Sequence, residues 1–404
     1  MEVLVRGIKR IGLHINTFIG LVLVAAGIGT LGGLIGTAFH VSVDMAAKTR
    51  TENEWIIWLL PIGGILISII YRLMKTCGKG TNCIIDSIQS GEEIPVLLAP
   101  AMFLSTFITH LFGGSAGREG AALQIGGSMG YGIGKFLKLD EKGIRMMTLC
   151  GMASIFSALF GTPLGAAFFT LEVANVGYFY YSYLVPCVSA SLVAYWIALS
   201  LGVTPTRFLI TSEINLSPIL VLKVVAIGAV AAAVSIIFCL SMHWGEYYFK
   251  RFIKNQELRI ATGGIIIIAL TYLVGSYDYN GAGMAFISSA MIGPVFPLAF
   301  LIKIIFTAIT VGSGYKGGEV LPSFFIGATL GSFLSSFLGV PTDIAASLGL
   351  IAVFCGAVNC PIASIVLAIE LFGTSEILLF GIVCTTSYML SGNYKLYSSQ
   401  KIID

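Results

Sequence analysis

Hydrophobic residues form long stretches along almost the whole chain, and short clusters of polar and charged residues separate these stretches. Candidates for full-length helices cover residues 18–40, 95–112, 183–201, 219–242 and 260–274. Shorter apolar pieces follow Gly117, Pro163, Gly317, Pro341 and Pro361, where glycine or proline interrupts the pattern. The pattern therefore predicts many helices of unequal length within a bilayer.

Three stretches without any Asp, Glu, Lys or Arg strengthen this interpretation. They cover residues 173–206, 260–277 and 320–342, and each reaches the length of about 18 to 20 residues that spans hydrocarbon. The composition agrees, since 56% of the residues are hydrophobic, only 11% are charged and the mean hydropathy is +0.93. A soluble domain carries about 25% charged residues. The predicted fold class is therefore an all-α polytopic membrane protein.

One part of the sequence occurs twice. The residues that recur in the same order are Gly117, Glu119, Ile125, Gly126 and Gly130, matched by Gly317, Glu319, Ile326, Gly327 and Gly331, and then Gly151, Pro163 and Glu172, matched by Gly349, Pro361 and Glu370. Paired, glycine-interrupted segments in two halves of a membrane protein are typical of a transport site between inverted repeats of broken helices.

The repeated pattern predicts one membrane domain over residues 1–404, without a soluble regulatory domain. We expect two inverted-topology repeats of broken and tilted helices, about 16 to 18 in all, at about residues 15–203 and 216–403. The joint between them is expected in the polar interval of residues 204–218.

Basic residues lie in clusters, at Arg6, Lys9 and Arg10, in the loop of residues 135–145 and at residues 250–254. The positive-inside rule places these clusters, and the amino terminus, in the cytoplasm. We expect a multi-pass protein of the plasma membrane that retains its first apolar stretch. The net charge of +3 is too small to indicate a nucleic acid partner, and the eight cysteines have no metal-ligand spacing and are not expected to form disulfides.

Glu119 follows Gly117 and Arg118 directly before a predicted helix over residues 121–136. The amino terminus of a helix favours an anion, so a carboxylate there competes with a bound anion. If Glu119 occupies the anion's place when ionised and leaves it when protonated, one side chain gates the pore and couples anions to protons. The alternative is a capping glutamate paired with Arg118.

Glu319 occupies the matching position in the second copy, before Val320, Leu321 and Pro322. Proline suits the first turn of a helix, which leaves the amides of Val320 and Leu321 as candidate anion donors. Ionisable residues within a membrane mark ion pathways by default. The alternative for Glu319 is a residue at the helix start that Lys316 satisfies.

Four motifs together resemble the CLC family of anion channels and proton-coupled antiporters. They are Gly-Arg-Glu-Gly at residues 117–120, Gly-x-x-x-Pro at 318–322 after a glycine-rich loop, Phe-Gly-Thr-Pro-Leu at 160–164 leading to Glu172, and Leu-Tyr-Ser-Ser-Gln at 396–400. The resemblance covers nearly the whole chain. It implies a homodimer in which each subunit has its own pore between inverted halves, with Glu119 as the external gate and Val320, Leu321 and Tyr397 lining the central anion site.

Departures from the pattern of chloride-type members resemble the fluoride-type branch of the family. The first anion-contacting loop contains Thr81 and Asn82 in place of Gly-Ser-Gly-Ile-Pro, and Glu319 and Val320 replace an apolar residue and phenylalanine. Val173 stands where proton-coupled chloride exchangers carry a glutamate. Without a glutamate at this position, the protein is either a passive channel or an exchanger that moves protons along another path. The resemblance implies that Glu319 helps to carry them.

Fluoride is small and strongly hydrated, so its site must offer hard donors such as hydroxyl, amide and backbone N–H groups. The predicted anion-binding residues are Thr81, Asn82, Gly120, Val320, Leu321 and Tyr397, and Glu119 and Glu319 form the predicted gate and proton path. The alternatives are a helix cap for Thr81 and Asn82 and interface packing for Tyr397.

The sequence thus predicts a fluoride/proton antiporter that exports fluoride, with no cofactor and no metal, and not an enzyme. The alternative is a chloride channel or a chloride/proton exchanger of the same fold. A remote alternative is an intramembrane serine hydrolase, because residues 113–117 match Gly-x-Ser-x-Gly around Ser115, with His110 and His243 as candidate bases. Glu172 and Glu370 match each other, which favours capping of helix ends over chemistry.

Overall fold

The computed structural model describes the backbone of residues 2–76, 78 and 80–402, and the side chains of these residues from Phe18 onward. Its sixteen α-helices begin with α1 (Glu2–Glu52), α2 (Leu60–Leu73), α3 (Thr81–Ser90), α4 (Leu98–Phe112), α5 (Glu119–Phe136), α6 (Glu141–Phe160), α7 (Pro163–Glu172) and α8 (Leu184–Ser200). The remaining eight are α9 (Pro218–Phe252), α10 (Gln256–Val274), α11 (Met284–Ile292), α12 (Ala299–Ser313), α13 (Val320–Leu338), α14 (Thr342–Val358), α15 (Pro361–Phe372) and α16 (Ile377–Ser391). Two 3₁₀ helices, Glu54–Leu59 and Tyr181–Tyr183, and the short strands β1 (Asn175–Val176) and β2 (Lys401–Ile402) complete the described elements.

Seven of the described helical segments are long and apolar enough to cross a membrane, and shorter apolar helices lie among them. The two longest of these segments each have 35 residues, at Phe18–Glu52 and Pro218–Phe252. Helices of very unequal length are what the interrupted hydrophobic pattern predicted. The prediction of an all-α polytopic membrane protein is therefore confirmed.

The first helix is longer than the hydrophobic pattern indicated, because it continues past His40 to Glu52. Its last part carries charged residues that form pairs along the helix, His40 with Asp44 at 2.9 Å and Lys48 with Glu52 at 3.9 Å. Pairs four residues apart support a helix outside an apolar stretch. The side chains of the amino-terminal basic cluster at Arg6, Lys9 and Arg10 lie outside the described part of the chain.

Glycine allows the central helices to cross at backbone contact. A Cβ atom at Gly126 would overlap the carbonyl of Gly151 where α5 meets α6, and a Cβ atom at Gly327 would overlap the carbonyl of Gly349 where α13 meets α14. Small residues permit this close approach of helices within a membrane. The packing role of these glycines is therefore confirmed, and it occurs once in each half.

Helices α7 and α15 cap each other. The carboxylate of Glu172, the last residue of α7, accepts the N–H groups of Ile362 at 3.3 Å and Ala363 at 2.8 Å at the start of α15. In return, the carboxylate of Glu370 near the end of α15 accepts the N–H groups of Leu164 at 2.9 Å and Gly165 at 2.7 Å. The capping interpretation of both glutamates is confirmed.

Residues 201–217 form no helix and join α8 to α9, at the place where the joint between the repeats was expected. This segment is held to the second half, because the carboxylate of Asp343 accepts the N–H groups of Thr211 at 2.8 Å and Ser212 at 2.9 Å. Near the carboxyl end of the chain, β2 pairs in parallel with β1. That pairing brings residues 395–402 back towards the centre of the molecule.

Candidate anion and proton site

The loops before α5 and α13 meet and hydrogen-bond to each other. The N–H of Gly117 donates to the carbonyl of Gly318 at 2.6 Å, and the N–H of Gly318 donates to the carbonyl of Gly117 at 2.7 Å. The two helices therefore begin from one shared point, and their amino termini carry Glu119 and Glu319. The structure thus brings together the two glycine-flanked acids of the sequence repeat.

This contact requires glycine. A Cβ atom at Gly318 would overlap the backbone nitrogen of Gly120, and a Cβ atom at Gly120 would lie 2.9 Å from the Cα of Gly318. Real Cβ atoms do not approach backbone so closely, so larger residues would force the two loops apart. Gly120 and Gly318 thus allow the close approach of the two loops.

Glu119 is the first residue of α5 and only 1% of its surface is exposed. Its Oε2 atom accepts the backbone N–H of Arg118 at 3.0 Å and the backbone N–H of Leu321 at 3.4 Å. Its Oε1 atom has no hydrogen-bond partner among the described residues and lies 3.8 Å from Nε of Arg118. The side chain therefore combines the contact to Arg118 with a second contact across the interface between the two halves.

The contact between Glu119 and Leu321 bears on anion binding. Val320 and Leu321 are the first two residues of α13, both are buried, and Pro322 follows them. Unpaired N–H groups at a helix start favour negative charge. The Glu119 carboxylate therefore lies at an amide that could otherwise bind an anion.

Glu319 directly precedes α13, and its side chain forms no capping hydrogen bond. Its buried Oε2 atom has no hydrogen-bond partner among the described residues. Lys316 interacts electrostatically with Glu319 but forms no direct ion pair with it among the described residues, and its Nζ atom lies 4.6 Å from the centre of the Tyr71 ring. Oε2 of Glu319 is therefore not satisfied by a hydrogen bond at the start of α13.

Thr81 and Asn82 are the first two residues of α3, and Gly80 holds the cap position without a side-chain cap bond. The Thr81 hydroxyl accepts Nε2 of Gln124 on α5 at 3.0 Å. Oδ1 of Asn82 accepts the N–H of Ser399 at 3.1 Å. Neither side chain caps the helix, and both connect α3 to other elements of the site.

Tyr397 lies two residues before Ser399 and is 3% exposed. Its hydroxyl has no hydrogen-bond partner among the described residues, and the side chain interacts electrostatically with Glu319 and Glu119. A buried polar atom without a partner needs an explanation such as a missing ion or water. The hydroxyl is therefore available to a ligand.

Ser115 is fully buried and belongs to a different network. Its hydroxyl lies 3.2 Å from the hydroxyl of Thr307, and its N–H donates to the Thr310 hydroxyl at 3.1 Å. Nδ1 of His110 pairs with the carbonyl of Thr106 at 2.9 Å, and Nδ1 of His243 pairs with that of Cys239 at 2.8 Å. Among the side chains described from Phe18 onward, Ser115 forms no hydrogen bond to a histidine, the contact that a serine hydrolase requires.

A cavity of about 410 Å³, here called the vestibule, reaches Leu321 from the side of the carboxyl end of α1. Asp44, Arg50, His110 and Arg118 are among the residues that line it. Sequence reasoning did not single out Asp44 or Arg50, and it named His110 only as a candidate base. The available signal was an acid, Asp44, close to the end of a long apolar stretch.

The sequence model of the family described as "Voltage gated chloride channel" matches residues 63–392. The chain belongs to this CLC family. A "Chloride/fluoride channel protein" from Pseudomonas syringae pv. tomato is 36% identical over 383 residues, which cover 93% of this chain and 85% of the relative. An H(+)/Cl(-) exchange transporter from Vibrio campbellii is 26% identical, with 88% of this chain and 82% of the relative covered.

Solved CLC structures show the same arrangement of helices. The crystal structure of a CLC-type fluoride/proton antiporter superposes with a TM-score of 0.92 at 32% identity, and the match covers 95% of this chain and 98% of the other. A slow cyanobacterial Cl-/H+ antiporter superposes with a TM-score of 0.78 at 20% identity, covering 94% and 96% of the two chains. The second likeness concerns the fold alone.

Proposed function

We propose that this CLC protein is a fluoride/proton antiporter that exports fluoride in exchange for protons, with Glu119 as its protonatable gate. The observation that carries the proposal is the contact between Oε2 of Glu119 and the N–H of Leu321. An ionised carboxylate held by that amide excludes an anion from the same place. A protonated carboxyl group is a weaker acceptor and leaves the amide to the anion.

The proposed anion site uses the donors around this amide. Backbone N–H groups at Gly120, Val320 and Leu321, the Thr81 hydroxyl, the Asn82 amide and the Tyr397 hydroxyl are hard donors that replace the water of a fluoride ion. The Tyr397 hydroxyl supports this assignment because it is buried without a protein partner. Asn82 supports it because Ser399 holds its Oδ1 atom, which leaves the Nδ2 group as a donor.

Protons are proposed to pass between Glu119 and Glu319. The two acids stand at helix starts joined by the bridge between Gly117 and Gly318, and they interact electrostatically with each other. Val173 cannot accept a proton at the place where proton-coupled chloride exchangers carry a glutamate. Glu319 offers a nearby acceptor on the inner side of Glu119, so an anion and a proton can cross the centre in opposite directions.

The proposed cycle follows from these positions. Protonation of Glu119 from the vestibule weakens its hold on Leu321, and the side chain leaves. A fluoride ion then binds the N–H of Leu321 and passes outward. The proton moves to Glu319 and then to the inner side. Ionised Glu119 returns to Leu321 and closes the path until the next proton arrives.

We propose fluoride rather than chloride as the transported anion for two reasons. Asn82 and Glu319 follow the fluoride-type pattern, and the solved antiporter with a TM-score of 0.92 is described as a fluoride/proton antiporter. The second candidate is a chloride channel or chloride/proton exchanger of the same fold. The Vibrio relative supports this candidate, although its identity to the chain is lower. The hard donors of the proposed site favour the first candidate. Chloride is larger and loses its water more easily, so it needs such donors less than fluoride does.

Three further features belong to the proposal. The two halves form inverted repeats within one membrane domain, which the paired crossings of α5 with α6 and of α13 with α14 support. The amino terminus lies in the cytoplasm and the vestibule faces outward, since α1 runs from the basic amino-terminal cluster to the vestibule. The protein works in the plasma membrane as a homodimer, with one pore in each subunit.

The test uses the full-length protein in liposomes loaded with potassium fluoride or potassium chloride. Anion release and internal pH are followed together after an ionophore sets the membrane potential. We expect rapid release of fluoride, slow release of chloride, and proton movement opposite to fluoride even against a proton gradient. Chloride release as fast as fluoride release would overturn the proposal in favour of the second candidate, and fluoride release without protons would overturn the exchange mechanism.

A further inference from the structure

Arg118, next to the gate, is shared between two carboxylates. Its Nη1 atom forms an ion pair with Oδ1 of Asp44, while its Nε atom lies 3.8 Å from Oε1 of Glu119. The other oxygen of Asp44 accepts Nε2 of His40 at 2.9 Å. The four side chains thus form a continuous line from α1 to the gate.

The members of this line differ in their access to water. The side chain of Asp44 is 57% exposed and borders the vestibule, whereas that of Arg118 is 10% exposed. Glu119 at the inner end is 1% exposed. Asp44 therefore offers its charge at the vestibule end of the Arg118 guanidinium, opposite the end that faces Glu119.

The vestibule is the space next to the gate into which the Glu119 side chain can move when it leaves Leu321, because both Leu321 and Arg118 line it. Its lining also includes His110, which is 1% exposed and has an unpartnered Nε2 atom among the described residues, and Arg50 with an unpartnered Nη1 atom. The Arg50 guanidinium would stabilise a carboxylate there even when it is ionised. An ionised gate that leaves Leu321 would let fluoride pass without a proton.

We propose that Asp44 is a positioning residue that prevents this loss of coupling. Asp44 forms an ion pair with the Arg118 guanidinium, which would otherwise attract the ionised Glu119 outward. The charge of Asp44 also repels a second carboxylate in the vestibule. A protonated Glu119 carries no charge, so it alone leaves Leu321 without being repelled by Asp44. His40 fixes the orientation of Asp44 through the hydrogen bond to Oδ2.

The other charged residues that line the vestibule are Arg50, Glu54 and Asp278, and the imidazole of His110 and the phenol of Tyr277 lie among them. None of these five forms an ion pair with Arg118 within the described part of the chain; Asp44 and Glu119 are the acids that do. Asp44 therefore differs from Glu54 and Asp278 by its direct contact with the neighbour of the gate. That difference supplies a matched control.

The inference rests on the proposed function and is tested by replacing Asp44 with asparagine. Asp44→Asn keeps the size of the side chain and an oxygen acceptor for Arg118 but removes the charge. In liposomes we expect fluoride release to continue while the number of protons moved per fluoride falls at least twofold. Glu54→Gln, which removes another charge of the vestibule, should leave the ratio at its wild-type value.

A purely structural role for Asp44 predicts a different result, because damage to the fold lowers the amount of active protein without changing the ratio of protons to fluoride. An unchanged ratio in Asp44→Asn would therefore overturn the inference. If that variant does not fold, His40→Phe tests the same idea, since it removes the donor to Asp44 and keeps both charges of the ion pair. A lower ratio in His40→Phe is expected, and a wild-type ratio would again overturn the inference.

The wild-type protein distinguishes failure of this inference from failure of the proposed function. Wild-type liposomes that move fluoride without protons would contradict the function itself. Wild-type coupling together with full coupling in Asp44→Asn would contradict only the role of Asp44. In a Glu119→Gln background the second substitution should have no further effect on proton movement, and an additional change would show that Asp44 acts independently of the gate.

Discussion

Oε2 of Glu119 lies 3.4 Å from the backbone nitrogen of Leu321, so an acid from the first half of the chain contacts the helix start of the second half. This distance is at the long end for a hydrogen bond, which suits a contact that must break in each cycle. The N–H of Arg118 donates to the same oxygen at 3.0 Å, an ordinary hydrogen-bond distance, so the contact to Leu321 is the weaker of the two.

Replacing Glu119 with glutamine is the direct test of the gate. Glu119→Gln keeps the shape of the side chain but cannot be ionised, so we predict that proton movement is abolished while fluoride still crosses passively. The measurement follows fluoride and pH together in liposomes. Glu213→Gln, at an exposed residue between α8 and α9, is the control and should exchange normally. Unchanged proton movement in Glu119→Gln would refute the gate.

The same mechanism gives a direction for the effect of pH. Protonation removes the charge that holds Glu119 at the Leu321 amide, so the fraction of open gates increases as the proton concentration in the vestibule increases. We predict that lowering the external pH accelerates fluoride release by the wild-type protein and has no such effect on Glu119→Gln. Release that slows in acid, measured at constant membrane potential, would contradict this order of events.

Glu319 gives a second prediction, because its Oε2 atom is buried without a partner and its side chain makes no capping bond. We predict that Glu319→Gln reduces proton movement strongly. It should change thermal stability little, since a charge at a helix start contributes only about 0.3 to 1 kcal/mol. Proton flux and thermal unfolding in detergent are measured on the same preparation. Normal exchange by this variant would return Glu319 to the role of a helix-start residue.

The fold could be predicted from the sequence more completely than the site. Hydrophobic stretches and charge gaps located the helices, and the repeated Gly117 and Gly317 segments indicated where the halves meet. The predicted ends of α1 at His40 and of α9 at Met242 were wrong, since these helices continue to Glu52 and Phe252. Hydropathy reports burial in lipid, whereas both extensions carry pairs of side chains four residues apart that support a helix outside an apolar stretch. The contact between Asp44 and Arg118 joins residues 74 positions apart, and no local pattern predicts such a pair.

Asn82 allows an anion-binding role to be separated from an anchoring role. Asn82→Asp keeps an oxygen that accepts the Ser399 N–H but adds a negative charge beside the proposed ion. At an effective dielectric constant of about 20, two charges 4 Å apart repel by about 4 kcal/mol. We therefore predict that Asn82→Asp reduces fluoride release at least 100-fold. Asn82→Ser, which retains a polar donor, should be less affected, and full activity in Asn82→Asp would leave Asn82 only its contact with Ser399.

Glu172 and Glu370 lead to the opposite prediction, a change in stability without a change in coupling. Each carboxylate accepts two N–H groups from the start of the helix that carries the other glutamate, and a hydrogen bond to a charged group contributes about 1.5 to 3 kcal/mol. We predict that Glu172→Ala and Glu370→Ala each lower the free energy of unfolding by about 2 kcal/mol, measured as earlier thermal unfolding in detergent. The exposed Glu213→Ala should unfold like the wild type. Because neither carboxylate contacts the Glu119 gate, the surviving protein should move the same number of protons per fluoride. A lower ratio without a loss of stability would instead place that glutamate on the proton path.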